Sequence, residues 1–599
     1  TYLLFVLLFI LWKPLFMWFH HDLYAEMETM DYFEVMLHGL PLDFSVAGYF
    51  SILPGLLLIA SLWIPFRLTT LLRRMYFYTV AFIFSVIFIS DLVLYHYWGF
   101  RLDSTPLFYF FSSPKDALAS AGAGFLVAGI GAILVYIVLC GLLFEYVLIR
   151  GHKRQIVHSR LVVTSVMLLM VGLLFIPVRG SFTVSVMNLS KVYYSENLRL
   201  NHAAINPCFS LMESLFRKLD FNKQYRFMPS QEADEIFGFL TDQLPLTDSI
   251  PALLACERPN VVFVILESFL SKAMESLGGI SGVAVNMDKL GEEGILFTNF
   301  YANSFRTDRG LVSIIAGYPA QPTMSIMKYP KKTESLPSIS RSLKRVGYDL
   351  QYYYGGDADF TNMRSFLLSA GFNRIVSDKD FPVQERLSKW GAHDHVVFSR
   401  FLSDLEDKPR EPFLKIIQTS SSHEPFDVPY HRLEDPFLNA IAYTDSCLGD
   451  FISRFRQTDL WERTLVVLVP DHAGGYPYPT DNLSPERYQI PLIWTGGAIK
   501  HPVKVDAYGS QIDIAATLLS QLGIPHDEFK FSKNLWNPAS PHYAFFTYPN
   551  IFGMITPENQ LVFDCDAEQV YSDTGIHLSE NLMKGKAILQ KLYDDLAAR

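Results

Sequence analysis

Two short stretches place metal-ligating side chains directly after β-rich runs. VVFVIL (261–266) is followed by Glu267-Ser268, and TLVVLVP (464–470) by Asp471-His472. Two carboxylates and an imidazole suit one divalent cation through O and N ligands. An acidic residue after a strand also serves as a helix N-cap, so neither pair decides alone. Between them lies NSFRTDRGLVSIIAGYP (303–319). Its apolar run from Leu311 to Ala316 suits a helix beginning near Thr307 or Asp308 and ending at Gly317, with Pro319 just beyond. Thr307 is then an N-cap or first-turn residue. The exposed N–H groups and dipole at such a helix start also favour an anionic phosphoryl group. A coordinated cation there would help ionise a hydroxyl whose free pKa is far too high, so capping and nucleophilic roles are both open to Thr307.

The elements that must position these residues read as α/β. Apolar, β-rich runs at 261–266, 294–302, 348–354, 413–418, 464–470 and 490–495 alternate with amphipathic segments such as SLPSISRSLKRVG and DSCLGDFISRFRQ. Alternation of this kind implies a mostly parallel sheet with helices on both faces. The continuous apolar character of 261–266 and 464–470 marks strands buried on both sides. In such sheets ligands gather beyond the carboxyl ends of the strands, which is where both acidic pairs fall.

The first 180 residues are of another kind. Stretches of about 20 apolar residues at 1–19, 44–64, 76–98, 121–148 and 161–178 are each long enough to cross a hydrocarbon core of about 30 Å. The first lacks a small-residue cleavage site and reads as a retained anchor, with Lys13 near a membrane face where its ammonium can snorkel. The segment from His20 to Asp43 has no Lys or Arg. The next loop carries Arg67, Arg73 and Arg74, the third only Arg101 and Lys115, and the fourth Arg150, Lys153, Arg154 and Arg160. By the positive-inside rule the chain after the fifth span lies outside. Trp63, Tyr95, Tyr97 and Trp98 fit an aromatic belt. Asp91, inside the third span, is either functional or paired with a neighbour. The expected organisation is a five-helix membrane domain (1–178), a helical linker at the membrane surface (179–255) and a catalytic domain (256–599).

Composition narrows the partners. Half of the 599 residues are hydrophobic, the net charge is -10, and no Arg/Lys-rich tract is present, which excludes a nucleic-acid footprint. The five cysteines, Cys140, Cys208, Cys256, Cys447 and Cys565, are scattered without CxxC spacing, so no thiolate metal site is written here.

Taken with SSSHEPF around His423, AYTDSCLGDFI (442–452) and PDHAGG, these segments resemble the alkaline phosphatase and sulfatase superfamily, in its membrane branch of lipoteichoic acid synthase-like enzymes. The resemblance implies an α/β catalytic domain on a multi-pass anchor of the bacterial cytoplasmic membrane, on its extracytoplasmic side. It implies that Glu267, Thr307, Asp471 and His472 bind one divalent metal ion, Mn²⁺ first and Zn²⁺ or Mg²⁺ as alternatives. Thr307 would be the nucleophile, and His423 would bind substrate or handle the leaving group's proton. GGDADFTNMR (355–364) resembles the family's glycerol-phosphate loop, with Asp357 and Arg364 in matching positions. It departs from the pattern at Gly355, where a His is expected, and Asn362, where a Trp is expected. Asp394, between His393 and His395 in WGAHDHVVF, would help shape the site. The implied reaction transfers phosphoglycerol from phosphatidylglycerol to a glycolipid or glycan hydroxyl. The rival is transfer of phosphoethanolamine from phosphatidylethanolamine to lipid A or another glycolipid, a branch usually rich in disulfides. A sulfatase is disfavoured because Thr307-Asp308-Arg309 lacks the C/S-x-P-x-R context. A non-catalytic receptor should have lost such a ligand set.

Overall fold

A computed structural model of the protein describes residues 1–104, 123–150, 159–181, 185–216, 220–241, 250–478, 480–576 and 579–599. Lys115, Lys153 and Arg154, and the side chains of Tyr97 and Trp98, lie outside the described residues. The chain divides into two compact units, Thr1–Leu219 and Asp220–Arg599, and the break falls inside the stretch 179–255.

Among its described residues the first unit contains five helices long and apolar enough to cross a membrane: Tyr2–Phe19, Thr29–Ala60, Phe66–His96, Val127–Ile149 and Arg160–Arg179. Two begin well before the apolar runs that announce them. The stretch read as a loop up to Asp43 is helical from Thr29, and Arg67, Arg73 and Arg74 belong to the first turns of the third helix. Backbone hydrogen bonding continues through polar sequence, so hydropathy marks the core of a span and not its ends.

Lys13 is the clearest correction. Its ammonium does not snorkel but is buried, donating to Asp43 Oδ1 and Oδ2 at 2.7 and 2.5 Å, while Asn206 Nδ2 donates to the same carboxylate at 2.9 Å. Buried Gly39 makes this fit, because a Cβ there would stand 1.9 Å from Lys13 Cε. Asp91 is likewise paired: it accepts from Arg101 Nε and from the Leu102 amide, and Arg101 also donates to the carbonyls of His202 and Ala203. Tyr95 is not at a wet interface but buried, with its hydroxyl 3.0 Å from His202 Nδ1.

The second unit is built on an eight-stranded sheet. In chain order its strands are β1 (Asn260–Leu266), β2 (Ile295–Phe297), β4 (Asp349–Tyr354), β5 (Arg374–Val376), β6 (Phe413–Gln418), β7 (Thr464–Pro470), β8 (Leu492–Thr495) and β9 (Val503–Val505), with β3 (Phe300–Tyr301) pairing elsewhere. The order across the sheet is β5-β4-β6-β1-β7-β8-β2-β9, and only β8 runs antiparallel to its neighbours. The central strands β1 and β7 are buried along their whole length, as their unbroken apolar sequences require.

The run 294–302, expected as one strand, is two. β2 joins the main sheet, whereas β3 pairs with β10 (Gly509–Ser510). The chain turns between them at Thr298, whose hydroxyl donates to Asp506 Oδ1 at 2.7 Å. A further antiparallel sheet, β11 (Ala544–Tyr548), β12 (Ile551–Ile555), β13 (Asn559–Asp564) and β14 (Gln569–Gly575), is followed by the helix Glu580–Ala598.

Candidate metal centre and nucleophile

Register creates the centre. β1 pairs with β7 residue for residue up to Leu266 opposite Pro470, so the next residues, Glu267 and Asp471, emerge side by side at two adjacent carboxyl ends. The Asp471 amide donates to the Leu266 carbonyl at 3.1 Å, which carries the pairing one residue beyond the strands. The chain then turns sharply at Ser268, whose φ of 57° is left-handed. That turn is closed by the Ser268 amide donating to Asp471 Oδ1 at 3.0 Å and the Gly474 amide donating to the Ser268 carbonyl at 2.9 Å.

The ligand atoms of Glu267, Asp471 and His472 lie within 4.8 Å of one another. His472 Nε2 is 3.4 Å from Glu267 Oε1 and 3.7 Å from Asp471 Oδ2. Burial pushes the Asp471 carboxyl up, and the neighbouring Glu267 charge adds to it, to about 7. Burial also acts on Glu267, but the adjacent His472 outweighs it and holds that carboxyl well below the usual range. Burial opposes charge on His472, yet the two carboxylates raise it to about 9. Two buried acids share one half-buried imidazole, and Asp471 Oδ2 is buried without a hydrogen-bond partner. An orphaned buried carboxylate oxygen is costly, and this donor set fits a divalent cation.

Thr307 completes the cluster. The helix Thr307–Ala316 has Arg306 in the cap position and ends at Gly317 in the left-handed region. The capping alternative therefore falls to the residue before, and the Thr307 hydroxyl instead donates to Glu267 Oε2 at 3.3 Å. The helix approaches so closely that a Cβ on Gly310 would stand 1.9 Å from the Asp471 carbonyl oxygen. Gln511, which sequence reasoning missed, ties the same place together. Its Nε2 donates to the carbonyls of Pro470 and Asp471 at 2.7 Å each, and its Oε1 accepts from the Asn303 amide. Nothing in its local sequence distinguishes it, since its role comes from tertiary packing.

The remaining expected residues surround the centre. His423 follows β6 through the turn Thr419–Ser422. Thr419 Oγ1 accepts from the Glu267 amide, and Ser422 Oγ donates to the Glu267 carbonyl. His423 is close enough to Glu267 to favour its charged form. Asp394 is a brace for this turn: Oδ1 accepts from the amides of Ser420 and Ser421, and Oδ2 accepts from Thr444 Oγ1 at 2.6 Å. His393 beside it is buried, whereas His395 is exposed and bonded to the Tyr443 hydroxyl.

Asp357 and Arg364 fall after β4, where both engage Asp359. Arg364 Nε donates to Asp359 Oδ1 at 2.7 Å, and Asp357 Oδ1 accepts from the Asp359 amide. Gly355 has no space for the expected His, because a Cβ would meet the Ala392 carbonyl oxygen at 2.3 Å. Asn362 is buried with φ 65°.

The sulfatase family matches this chain over residues 259–524. The chain is 25% identical over 341 residues to "Phosphoglycerol transferase I" of Xanthomonas campestris pv. campestris (strain B100), a match covering 53% of this chain and 47% of that one. It is 23% identical over 342 residues to "Lipoteichoic acid synthase 2" of Bacillus subtilis (strain 168), covering 52% of each. The chain thus spans about half the length of the curated relatives it matches. Among solved structures, an alkaline phosphatase superfamily protein from Vibrio parahaemolyticus superposes with a TM-score of 0.55 at 25% identity, over 63% of this chain and 98% of that one. The lipoteichoic acid synthase LtaP from Listeria monocytogenes shares the fold at TM-score 0.51 and 21% identity, over 62% of this chain and 98% of that one. Helices apolar enough to span a membrane thus precede a mostly parallel α/β domain that is alkaline phosphatase/sulfatase-like, with residues 259–524 matching the sulfatase family.

Proposed function

We propose that this protein transfers a phosphoglycerol head group from phosphatidylglycerol to an acceptor hydroxyl through a covalent intermediate on Thr307. The observation that carries the reading is the Thr307 hydroxyl in the first turn of a helix, 3.3 Å from Glu267 and beside the Asp471–His472 pair. The similarity to a phosphoglycerol transferase and a lipoteichoic acid synthase supports the choice of head group.

Glu267, Asp471, His472 and the Thr307 oxygen would hold one divalent ion, Mn²⁺ in the first instance, which when bound supplies Lewis-acid charge to the hydroxyl and the phosphoryl oxygens. Thr307 Oγ attacks phosphorus, and the bond to the diacylglycerol oxygen breaks. In net balance the Thr307 proton leaves on diacylglycerol, with His423 delivering it. An acceptor hydroxyl of a glycolipid or glycan then attacks the phosphothreonine, the Thr307–phosphorus bond breaks, and the acceptor's proton restores Thr307. The helix start favours the anionic group throughout. Arg364, with its remaining guanidinium nitrogens, and Asp357 would contact the head group. The membrane helices hold the domain at the bilayer that presents the donor, on the extracytoplasmic side.

Incubating the purified full chain with phosphatidylglycerol should release diacylglycerol and leave about 154 Da on the Thr307 peptide, as covalent catalysis demands. Thr307→Ala should do neither. An increment of about 123 Da from phosphatidylethanolamine alone would select the phosphoethanolamine reading through the same chemistry. Undiminished diacylglycerol release by Thr307→Ala would sink both.

A further inference from the structure

The turn 388–391 brings a tryptophan onto His423. Ser388 and Gly391 bridge each other, the Trp390 amide donates to Ser388 Oγ at 3.1 Å, and Gly391 sits at φ 121°, a conformation that only glycine adopts freely. The turn presses on the loop after β4. The Ala392 amide donates to the Gly355 carbonyl at 2.9 Å, and a Cβ on Gly391 would stand 2.0 Å from that same oxygen. Glycine at both 355 and 391 is what permits this approach. The result is that the half-buried Trp390 ring lies 4.1 Å, centroid to centroid, from the His423 imidazole at 47°, with the Phe360 ring edge-to-face with it at 5.9 Å.

One acceptor links the two rings. The Glu424 carbonyl oxygen receives Trp390 Nε1–H at 2.7 Å and lies 3.1 Å from His423 Nδ1. A carbonyl can only accept, so this contact requires the proton of neutral His423 to be on Nδ1, which leaves Nε2 as the free acceptor nitrogen. Asp394 fixes the His423 turn from within through Ser420 and Ser421, and Trp390 fixes it from without.

We propose that Trp390 is a positioning residue for the reaction: packed against His423 and anchored to the Glu424 carbonyl, it holds the imidazole in one orientation and in the tautomer that presents Nε2 to the reacting group. This rests on the role given to His423 above. It also assigns a task to an aromatic ring that packs beside the loop of Gly355 and Asn362, which supply none.

The test compares Trp390→Ala, Trp390→Phe, His423→Ala and the Trp390→Ala/His423→Ala double variant of the full chain on phosphatidylglycerol vesicles. Trp390→Ala should lower kcat for diacylglycerol release about tenfold or more with KM little changed, as loss of orientation does. Trp390→Phe, which keeps a ring but lacks the N–H, should fall between. In the His423→Ala background the tryptophan change should cost less than about twofold further, because residues acting as one unit are not additive. Independent, multiplicative losses would overturn the proposal, as would full activity in Trp390→Ala. If the unaltered chain releases no diacylglycerol, the failure belongs to the assigned function. The contact is then read without turnover, by the rate at which diethyl pyrocarbonate modifies the His423 peptide. That rate should rise severalfold in Trp390→Ala, and equal rates would overturn the proposal.

Discussion

Gly310 and the Asp471 carbonyl are in backbone contact, with no room for even a methyl group between them. The contact sets the depth at which the Thr307 helix sits against the strand-end ligands. Gly310→Ala must push that helix outward by an ångström or more, carrying the Thr307 hydroxyl away from Glu267. Misplacement of this size typically costs about a hundredfold in rate. The variant should therefore keep its circular dichroism but lose turnover to about that degree. Activity within twofold of the unaltered protein would show that the helix has slack.

Removal of a ligand should act on ion content first. Asp471→Ala and His472→Ala each delete a donor from a three-ligand cluster, and both should lower bound Mn²⁺ and activity together. Chelation of the unaltered protein should abolish diacylglycerol release, and added Mn²⁺ should restore it. Full metal occupancy in both variants, measured by mass spectrometry of the metal, would remove these residues from the site.

Much of this site was legible because it depends on strand ends and one helix start. Apolar runs of six or seven residues mark β1 and β7, and a polar residue immediately after such a run must lie at the strand's carboxyl end. The helix from Thr307 to Gly317 was bounded by its own apolar run, glycine and proline. What could not be read was anything set by tertiary contact. Gln511 and Trp390 carry no local signal, and the split of 294–302 into two strands depends on Asp506, some two hundred residues away. The C-terminal antiparallel sheet is built of short runs such as AFFTY and IFGMI, which become strands only by pairing across the turn at Asn550. The burial of Lys13 is hidden for the same reason, since its partner Asp43 belongs to a different helix.

That partnership predicts an asymmetric double-variant result. Lys13→Met leaves the Asp43 carboxylate buried with Asn206 as its remaining donor, and breaking a buried pair costs about 3–5 kcal/mol. Lys13→Met should lower the yield and apparent melting temperature of the detergent-purified protein. Lys13→Met combined with Asp43→Leu should recover a large part of both, because two matched apolar groups replace an uncompensated charge. A double variant no better than the single would show that the pair has a role beyond neutralisation.

The side of the membrane is testable by chemistry. In a background lacking the five native cysteines, Lys223→Cys should react with a membrane-impermeant maleimide in intact spheroplasts. Arg67→Cys, exposed at the start of the third helix, should react only after lysis. The reverse pattern would place the catalytic unit inside the cell.

Lys415 gives a pH signature of folding. It lies on β6, between β4 and β1, and is buried, with its ammonium donating to Gln351 Oε1 at 2.5 Å. Burial lowers its pKa from 10.5 to about 8, against the raising effect of Asp349 and Asp404. The unfolded chain therefore holds this proton more tightly than the folded one. Stability must rise with pH across the window from about 8 to 10.5, where only the unfolded state remains protonated. Lys415→Met removes the group while keeping most of its volume. The variant should melt higher than the unaltered protein at pH 7, and the gap should narrow steadily as pH is raised from 8 towards 10.5. Other titrating groups are common to both proteins and cancel in the difference. Parallel melting curves across that range would show that Lys415 titrates alike in the folded and unfolded chain, and the burial argument for this strand would fall.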